Sequence, residues 1–363
     1  MRIGIDARFV GTPGGIGRYT EELVRHLGET DTENSYVLFL RPLGSRRLAR
    51  FLSENSQRFR PVIADIRWYT IAEQLRMPRI IDRERLDLVH FPHWNVPLGV
   101  RTPFVLTVHD LILFDHPSRR ASTLGPLRYA VKSFGHRLVI GSAVRRARKI
   151  IAPSEYTKRR IIGRFHISKE KVVVIPEGVS EGSPSINSGT TKANRILYVG
   201  NAYPHKNLER LLEALAEVRK KIPDAELVIA GNDDCFFKRL KRMSGAGVRF
   251  VGSPSDEELE DLYASARLFV IPSLVEGFGL TPLEAMARRI PVVSSRGGAL
   301  PEVLGEAAEY FDPERADEMA RVILEALSVE SLRRELITRG REQASRYSWR
   351  TAAIATRNVY QNL

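Results

Sequence analysis

The sequence predicts two successive α/β units, each built on a parallel sheet, and three observations lead to that reading. Short β-branched runs alternate with amphipathic stretches along the chain, the pattern of strands joined by crossover helices. The pattern breaks once, over 181–192, where Ser, Gly and Thr without periodicity read as a linker. A chain of 363 residues is also too long for one ordinary core, so two domains fit better than one.

In the first series the expected strands are Arg2–Ile5, Tyr36–Leu40, Asp87–Phe91, Phe104–Val108, Lys149–Pro153 and Val172–Pro176. In the second they are Arg195–Val199, Glu226–Ala230, Val248–Val251, Leu268–Ile271 and Pro291–Ser294. Two helices of the second series are well marked. Leu208, Leu211, Leu212, Leu215 and Val218 form one apolar face, and Ser255 three residues before Glu258 is a capping-box start. The domain expectation is a first unit over 1–180, the linker 181–192 and a second unit over 193–346. A last amphipathic helix over 347–363 is expected to cross back to the first unit, with Trp349 as a core anchor.

With 43% hydrophobic and 27% charged residues the composition is globular. A single cysteine, Cys235, excludes a disulfide framework and fits a reducing cytosol. The start lacks the apolar core of a signal peptide, and no apolar run is long enough to span a bilayer. A cytoplasmic protein, soluble or peripheral on the inner membrane face, is the expectation. The formal charge of +13 is unevenly placed: residues 1–180 hold 31 of the 56 Lys and Arg but 17 of the 43 Asp and Glu. From His116 to Ser154 there is no acidic residue, while Arg119, Arg120, Arg128, Lys132, Arg137, Arg145, Arg146, Arg148 and Lys149 are basic. Such a block seeks phosphate, on lipid headgroups or nucleic acid.

The chemistry concentrates in Pro272-Ser-Leu-Val-Glu276-Gly-Phe-Gly-Leu-Thr-Pro-Leu-Glu284. A buried strand ends at Ile271, a glycine-containing loop follows, and Thr281-Pro282 is expected to open a helix with Thr281 as N-cap. Free amides at that helix start, approached closely past Gly277 and Gly279, make an anion site suited to a diphosphate. Carboxylates beside such a site bind hydroxyls elsewhere on the same ligand. A sugar nucleotide presents both groups. Glu284 has a second reading, as the capping-box partner of Thr281, whereas Glu276 has no capping role available.

The ordered set of motifs resembles the retaining glycosyltransferases of GT-B fold, family 4. It comprises Glu276-x7-Glu284 with internal Gly-Phe-Gly-Leu, Gly200-Asn-Ala-Tyr-Pro-His-Lys206-Asn207, Val228-Ile-Ala-Gly231, Gly14-Gly-Ile-Gly-Arg-Tyr19, Thr107-Val-His109-Asp110 and Ala152-Pro-Ser-Glu-Tyr-Thr157. The resemblance covers nearly the whole chain. It implies two Rossmann-like domains facing across a cleft, the second binding the nucleotide sugar. By the same resemblance Glu276 contacts donor-sugar hydroxyls, Glu284 the ribose, and Phe278, Gly279 and Leu280 offer main-chain amides. Lys206 neutralises the leaving diphosphate, where negative charge develops. His109, at the end of a buried strand, is similar to the histidine that touches the donor. Gly14 and Gly15 form a backbone-lined loop toward donor and acceptor. The chain departs from the family pattern at two points: Asn201 stands where similar enzymes often carry Arg, and Glu177 where Asn is common.

Nothing in the sequence calls for a metal or cofactor. Asp233-Asp234 reads as a solvated turn, and no zinc spacing or phosphate-binding GxxxxGK[ST] is present. The stretch His90-Phe-Pro-His-Trp-Asn-Val-Pro97, with Gly277 to Leu283, looks most similar to mannosyltransferases of bacterial surface-polysaccharide assembly. The resemblance therefore implies GDP-mannose as donor and a glycan or polyprenyl-linked acceptor. The segment Thr123–Lys149 reads either as a solvated helix or as a basic surface for an anionic leaflet. A UDP-sugar-dependent transferase of the same fold and a sugar-nucleotide epimerase are the alternatives. A nucleic-acid-binding protein fits less well, since aromatic-rich binding motifs are missing.

Overall fold

The computed structural model describes residues 1–12, 14–115, 126–180 and 194–363. The chain divides into two compact units. Among the described residues the first comprises those within 1–111, 126–178 and Trp349–Leu363, and the second those within 112–115 and 179–348. The linker reading at 181–192 lies outside the described residues, as do Arg119 and Arg120 and the side chains of Arg128 and Lys132.

The first unit contains a seven-stranded sheet in the order β3-β2-β1-β4-β5-β6-β7. Its strands are β1 (Arg2–Asp6), β2 (Ser35–Leu40), β3 (Phe59–Ile63), β4 (Leu88–Phe91), β5 (Phe104–Thr107), β6 (Lys149–Ala152) and β7 (Val172–Val174). All neighbours pair in parallel, with Ile3 opposite Tyr36 on one side and Leu88 on the other. Buried strands of this kind read as near-continuous apolar runs, which is why most were visible in the sequence. β3 was not among the expected strands. It is an edge strand with Pro61 inside and a mostly exposed surface, so its apolar signal is weak.

The second unit holds a six-stranded sheet in the order β10-β9-β8-β11-β12-β13. Here the strands are β8 (Arg195–Val199), β9 (Glu226–Ala230), β10 (Val248–Val251), β11 (Leu268–Ile271), β12 (Val292–Ser295) and β13 (Ala308–Phe311). β13 was missed for the same reason as β3: it is short, lies at the edge and is half-exposed at Glu309 and Tyr310. The helix Leu208–Lys221 buries Leu208, Leu211, Leu215 and Val218, with Ala214 taking the interior place expected of Leu212. Both bonds of the capping box are formed at Ser255 and Glu258.

Each sheet reverses its strand order once, between β1 and β4 in the first unit and between β8 and β11 in the second. In open α/β sheets the crevice outside the carboxyl ends at such a reversal receives the ligand. The loops leaving β8 and β11 carry Asn201, Lys206 and Glu276. Those leaving β1, β4 and β5 carry Gly14, His93 and His109. The final helix Trp349–Gln361 packs within the first unit. Trp349 is 3% exposed, its ring lies edge-on to Tyr19 at 5.9 Å, and a Cβ on Gly178 would clash with its backbone. Among the described residues no helix is long and apolar enough to cross a membrane.

Candidate functional site

In the second unit, Lys206 and Glu276 are 70 residues apart in sequence and in contact in space. The Lys206 Nζ donates to Glu276 Oε1 at 2.7 Å, and Ser273 Oγ donates to the same oxygen at 2.6 Å. Glu276 is only 8% exposed. Burial pushes its pKa up, but the Lys206 charge and hydrogen bond, Ser273 and the nearby His205 outweigh that and hold it below the usual carboxylate value. A charged carboxylate is therefore held at the loop, paired to a cation that a ligand phosphate could attract.

The two loops that bring this pair together are tied by backbone geometry. Asn207 adopts a left-handed conformation at φ 59°. Its side-chain amide donates to Pro272 O at 3.0 Å and to Pro313 O at 2.7 Å. The Leu274 amide donates to His205 O at 2.8 Å. From the other side, Ala299 N donates to Glu276 O at 2.9 Å, and Gly298 must be glycine because its φ is 67° and a Cβ would meet Glu276 O. Glu276 thus sits on a loop fixed at both ends. Sequence reasoning singled out Lys206 and Glu276 but not Ser273, Asn207 or Gly298. Ser273 and Asn207 lie within or beside the quoted motifs, whereas no signal short of the fold could have found Gly298.

The helix after this loop starts earlier than expected. It spans Leu280–Ala287 with Gly279 as N-cap at φ 102°, so Thr281 is not the N-cap and Pro282 is not its first residue. Only glycine takes this backbone conformation readily, and that sets the start. Pro282 is tolerated because its missing N–H falls in the first turn, where no intrahelical partner exists. The shift also removes the capping-box reading of Glu284, which now stands too deep in the helix to reach back. Glu284 is 4% exposed and accepts from the Tyr263 hydroxyl at 3.1 Å. Arg288 lies over the Tyr263 ring at 4.7 Å and donates to Glu284 O at 2.9 Å.

The remaining donor-side candidates divide between backbone and side chain. Phe278 is 5% exposed and packs edge-on to Tyr347 at 5.5 Å, so its side chain serves the core and its amide the loop. Asn201 turns inward on its own loop, its carbonyl accepting from Tyr198 OH at 2.8 Å and its Oδ1 from Tyr203 N at 3.3 Å. It supplies no charge in place of the expected arginine. Asp234, read from the sequence as part of a solvated turn, caps the helix Cys235–Met243 by accepting from Phe236 N and Phe237 N.

In the first unit, Gly14 has φ 110° and precedes the helix Gly15–Thr30. A Cβ at Gly14 or Gly15 would meet nothing within 4 Å, so this backbone is open to a ligand, while Gly17 is needed for packing against Thr12 O and Phe9 O. His109 follows β5. Its Nδ1 faces Glu177 Oε1 at 2.8 Å and its Nε2 faces Pro92 O at 2.9 Å. A carbonyl and a carboxylate both accept, so both ring nitrogens donate and the ring is an imidazolium. Burial pulls the His109 pKa down, but Glu177, the Pro92 carbonyl and Asp110 outweigh it and hold it above the usual histidine value. Glu177, the second departure from the family pattern, therefore has a structural function that its sequence position did not reveal.

The histidines around it are neutral. His90 bonds to Tyr360 OH at 2.6 Å and to Thr107 Oγ1 at 2.8 Å, and burial together with the His109 charge pushes its pKa down to about 3. His93, stacked at 6.5 Å from the His109 ring, is pushed well down by the same two causes. One charged ring is held among neutral ones.

Comparison with known proteins gives the family. The family model described as Glycosyltransferase Family 4 matches residues 13–182, and that described as Glycosyl transferases group 1 matches residues 184–343. O-antigen chain mannosyltransferase B of Escherichia coli is 29% identical, covering 96% of this chain and 96% of its own. The MMP alpha-(1->4)-mannosyltransferase of Mycolicibacterium hassiacum is 32% identical, covering 71% of this chain and 65% of its own. Among solved structures, HepE of Anabaena in complex with UDP and glucose superposes with a TM-score of 0.76 at 19% identity over 100% of both chains. Two Rossmann-like parallel sheets, each matching its own family model, place this chain among the glycosyltransferases of GT-B fold.

Proposed function

We propose that this glycosyltransferase moves mannose from GDP-mannose, with retention of anomeric configuration and without a metal, onto a glycan or polyprenyl-linked acceptor at the cytoplasmic membrane face. The observation that carries the donor assignment is the partly buried Lys206 to Glu276 pair, held beside the strand-order reversal of the second sheet. Mannose is supported by the names of relatives, which include O-antigen chain mannosyltransferases of Escherichia coli and Salmonella typhimurium.

In this reading the donor diphosphate draws the Lys206 ammonium, and Glu276 turns its freed oxygens to hydroxyls of the sugar. Amides of Phe278, Gly279 and Leu280 hold the diphosphate at the start of the helix. Glu284 serves the ribose, with the Tyr263 hydroxyl fixing its carboxylate and Arg288 its main-chain carbonyl. Asn201 shapes the loop, and Gly14 and Gly15 leave room for the ligand. His109 contributes positive charge. The bond from the anomeric carbon to the diphosphate oxygen breaks as the bond to the acceptor oxygen forms, and the acceptor's proton passes to the departing diphosphate. Lys206 compensates the charge that develops on that leaving group.

Thermal-shift measurements with GDP, UDP and ADP sugars test the donor, with GDP-mannose expected to stabilise most. A larger shift with a UDP sugar would replace the donor and leave the reaction class intact. Retention is tested by the anomeric coupling of the product, and metal independence by unchanged turnover in a chelator.

A further inference from the structure

We propose that the outer face of the helix Ile71–Arg83, together with Tyr69 and Leu98, is the surface by which this transferase docks on an anionic bilayer. The proposal rests on the membrane-face reading above and gives it a location. The helix buries Glu73, Met77, Pro78 and Ile81 along one stripe. On the other side Ile71 is 79% and Leu75 61% exposed, one turn apart and so on a common face. The Leu98 amide donates to Gln74 Oε1 at 2.9 Å, which ties the loop bearing the half-exposed Leu98 to this helix. The Tyr69 ring stands 5.1 Å from the His136 ring, which ties the basic helix Pro126–Arg146 to this surface.

Single exposed aliphatic residues are ordinary, but a cluster drawn from two segments marks a contact surface. Its charge says what it contacts. The segments 66–83, 92–102 and 135–148 hold the exposed Arg67, Arg76, Arg79, Arg83, Arg101, Arg137, Arg145, Arg146 and Arg148 against one exposed carboxylate, Asp82, while Glu73 is buried against Arg8. Aliphatic side chains set among arginines match the boundary between acyl chains and anionic headgroups. Nucleic acid would engage the arginines but leave Ile71 and Leu75 in water.

The position fits the chemistry. The loops bearing Tyr69 and Leu98 follow β3 and β4, so the patch lies at the same carboxyl edge of the first sheet as His109, which follows β5. Arg146 donates to Leu98 O at 2.9 Å and also to Val100 O, and so fixes the loop that presents Leu98. A lipid-linked acceptor would reach the His109 edge along this surface.

The test is flotation of the full chain with phosphatidylcholine vesicles, with and without phosphatidylglycerol. Wild type is expected to float with the anionic vesicles only, and an Ile71→Glu, Leu75→Glu double variant to lose at least about tenfold in bound fraction. The variant's melting temperature and its thermal shift with a nucleotide sugar, which should match wild type, establish that it folds. An Arg76→Glu, Arg79→Glu variant should lose binding similarly. If wild type floats and the double variant floats equally, this surface is wrong although the membrane reading stands. Failure of wild type to float with anionic vesicles would overturn the membrane reading itself. Loss of self-association in the variant, without loss of flotation, would make the patch a contact between copies and overturn the proposal.

Discussion

Replacing Glu276 by Gln leaves Lys206 facing an amide instead of a carboxylate, and the two halves of the donor should then respond in opposite directions. At the 2.7 Å separation observed, the gross attraction of the pair at an effective dielectric constant of about 20 is about 6 kcal/mol. Most of that is offset by rehydration of the released ammonium, whose side chain is already 16% exposed. A net gain of about 1.5 kcal/mol for a phosphate ligand, roughly tenfold, is the expected remainder. The sugar loses a charged hydrogen-bond partner for its hydroxyls, a cost of about 1.5 to 3 kcal/mol. Titration calorimetry should therefore show GDP binding about tenfold more tightly to Glu276→Gln than to wild type, while GDP-mannose gains nothing or weakens. Adding Lys206→Met should abolish the gain for GDP. Equal changes for GDP and GDP-mannose, or no change in either, would refute the idea that one partner holds the phosphate and the other the sugar.

Three further outcomes follow from the geometry. Gly279→Ala forces a side chain into a φ of 102° and places its Cβ 2.7 Å from Leu300 Cδ2, so urea denaturation should show a loss of about 2 kcal/mol, with weaker donor binding. Glu177→Gln should lower the His109 pKa, seen by NMR titration of its ring. Because that pKa is raised in the folded state, its stabilisation is complete below the unfolded value and is lost as pH rises through the folded one, and the variant should remove this dependence. His90 has the opposite sign: with a folded pKa of about 3, the unfolded chain binds a proton first, so stability should fall as pH drops from roughly 6.5 toward 3. His90→Gln should flatten that part of the unfolding free-energy profile.

Much of the architecture was legible because buried parallel strands announce themselves as apolar runs and helices by their period. Edge strands do not, and β3 with Pro61 and β13 with its half-exposed tip passed unseen. Two separate motifs singled out Glu276 and Lys206, but their contact spans 70 residues and belongs to the sheet topology rather than to any local pattern. The helix start was misread by two residues because Thr281-Pro282 looks like a cap, whereas the backbone angle of Gly279 decides the matter. Glu177 illustrates the same limit: in the sequence it is an unexplained departure, and only the fold brings it to His109. The exposed face of Ile71 and Leu75 was equally hidden, since an apolar residue on a helix reads as interior until its neighbours are known.

The central claim is that the Lys206 and Glu276 pair is where a mannosyl donor is held and activated. It is tested most directly by following labelled mannose from GDP-mannose into a membrane lipid and glycan fraction with wild type, Lys206→Ala and Glu276→Ala. The account predicts transfer by wild type and a fall of about 10²- to 10³-fold in each variant, with both variants still folded. Transfer at the wild-type rate by either variant would contradict it.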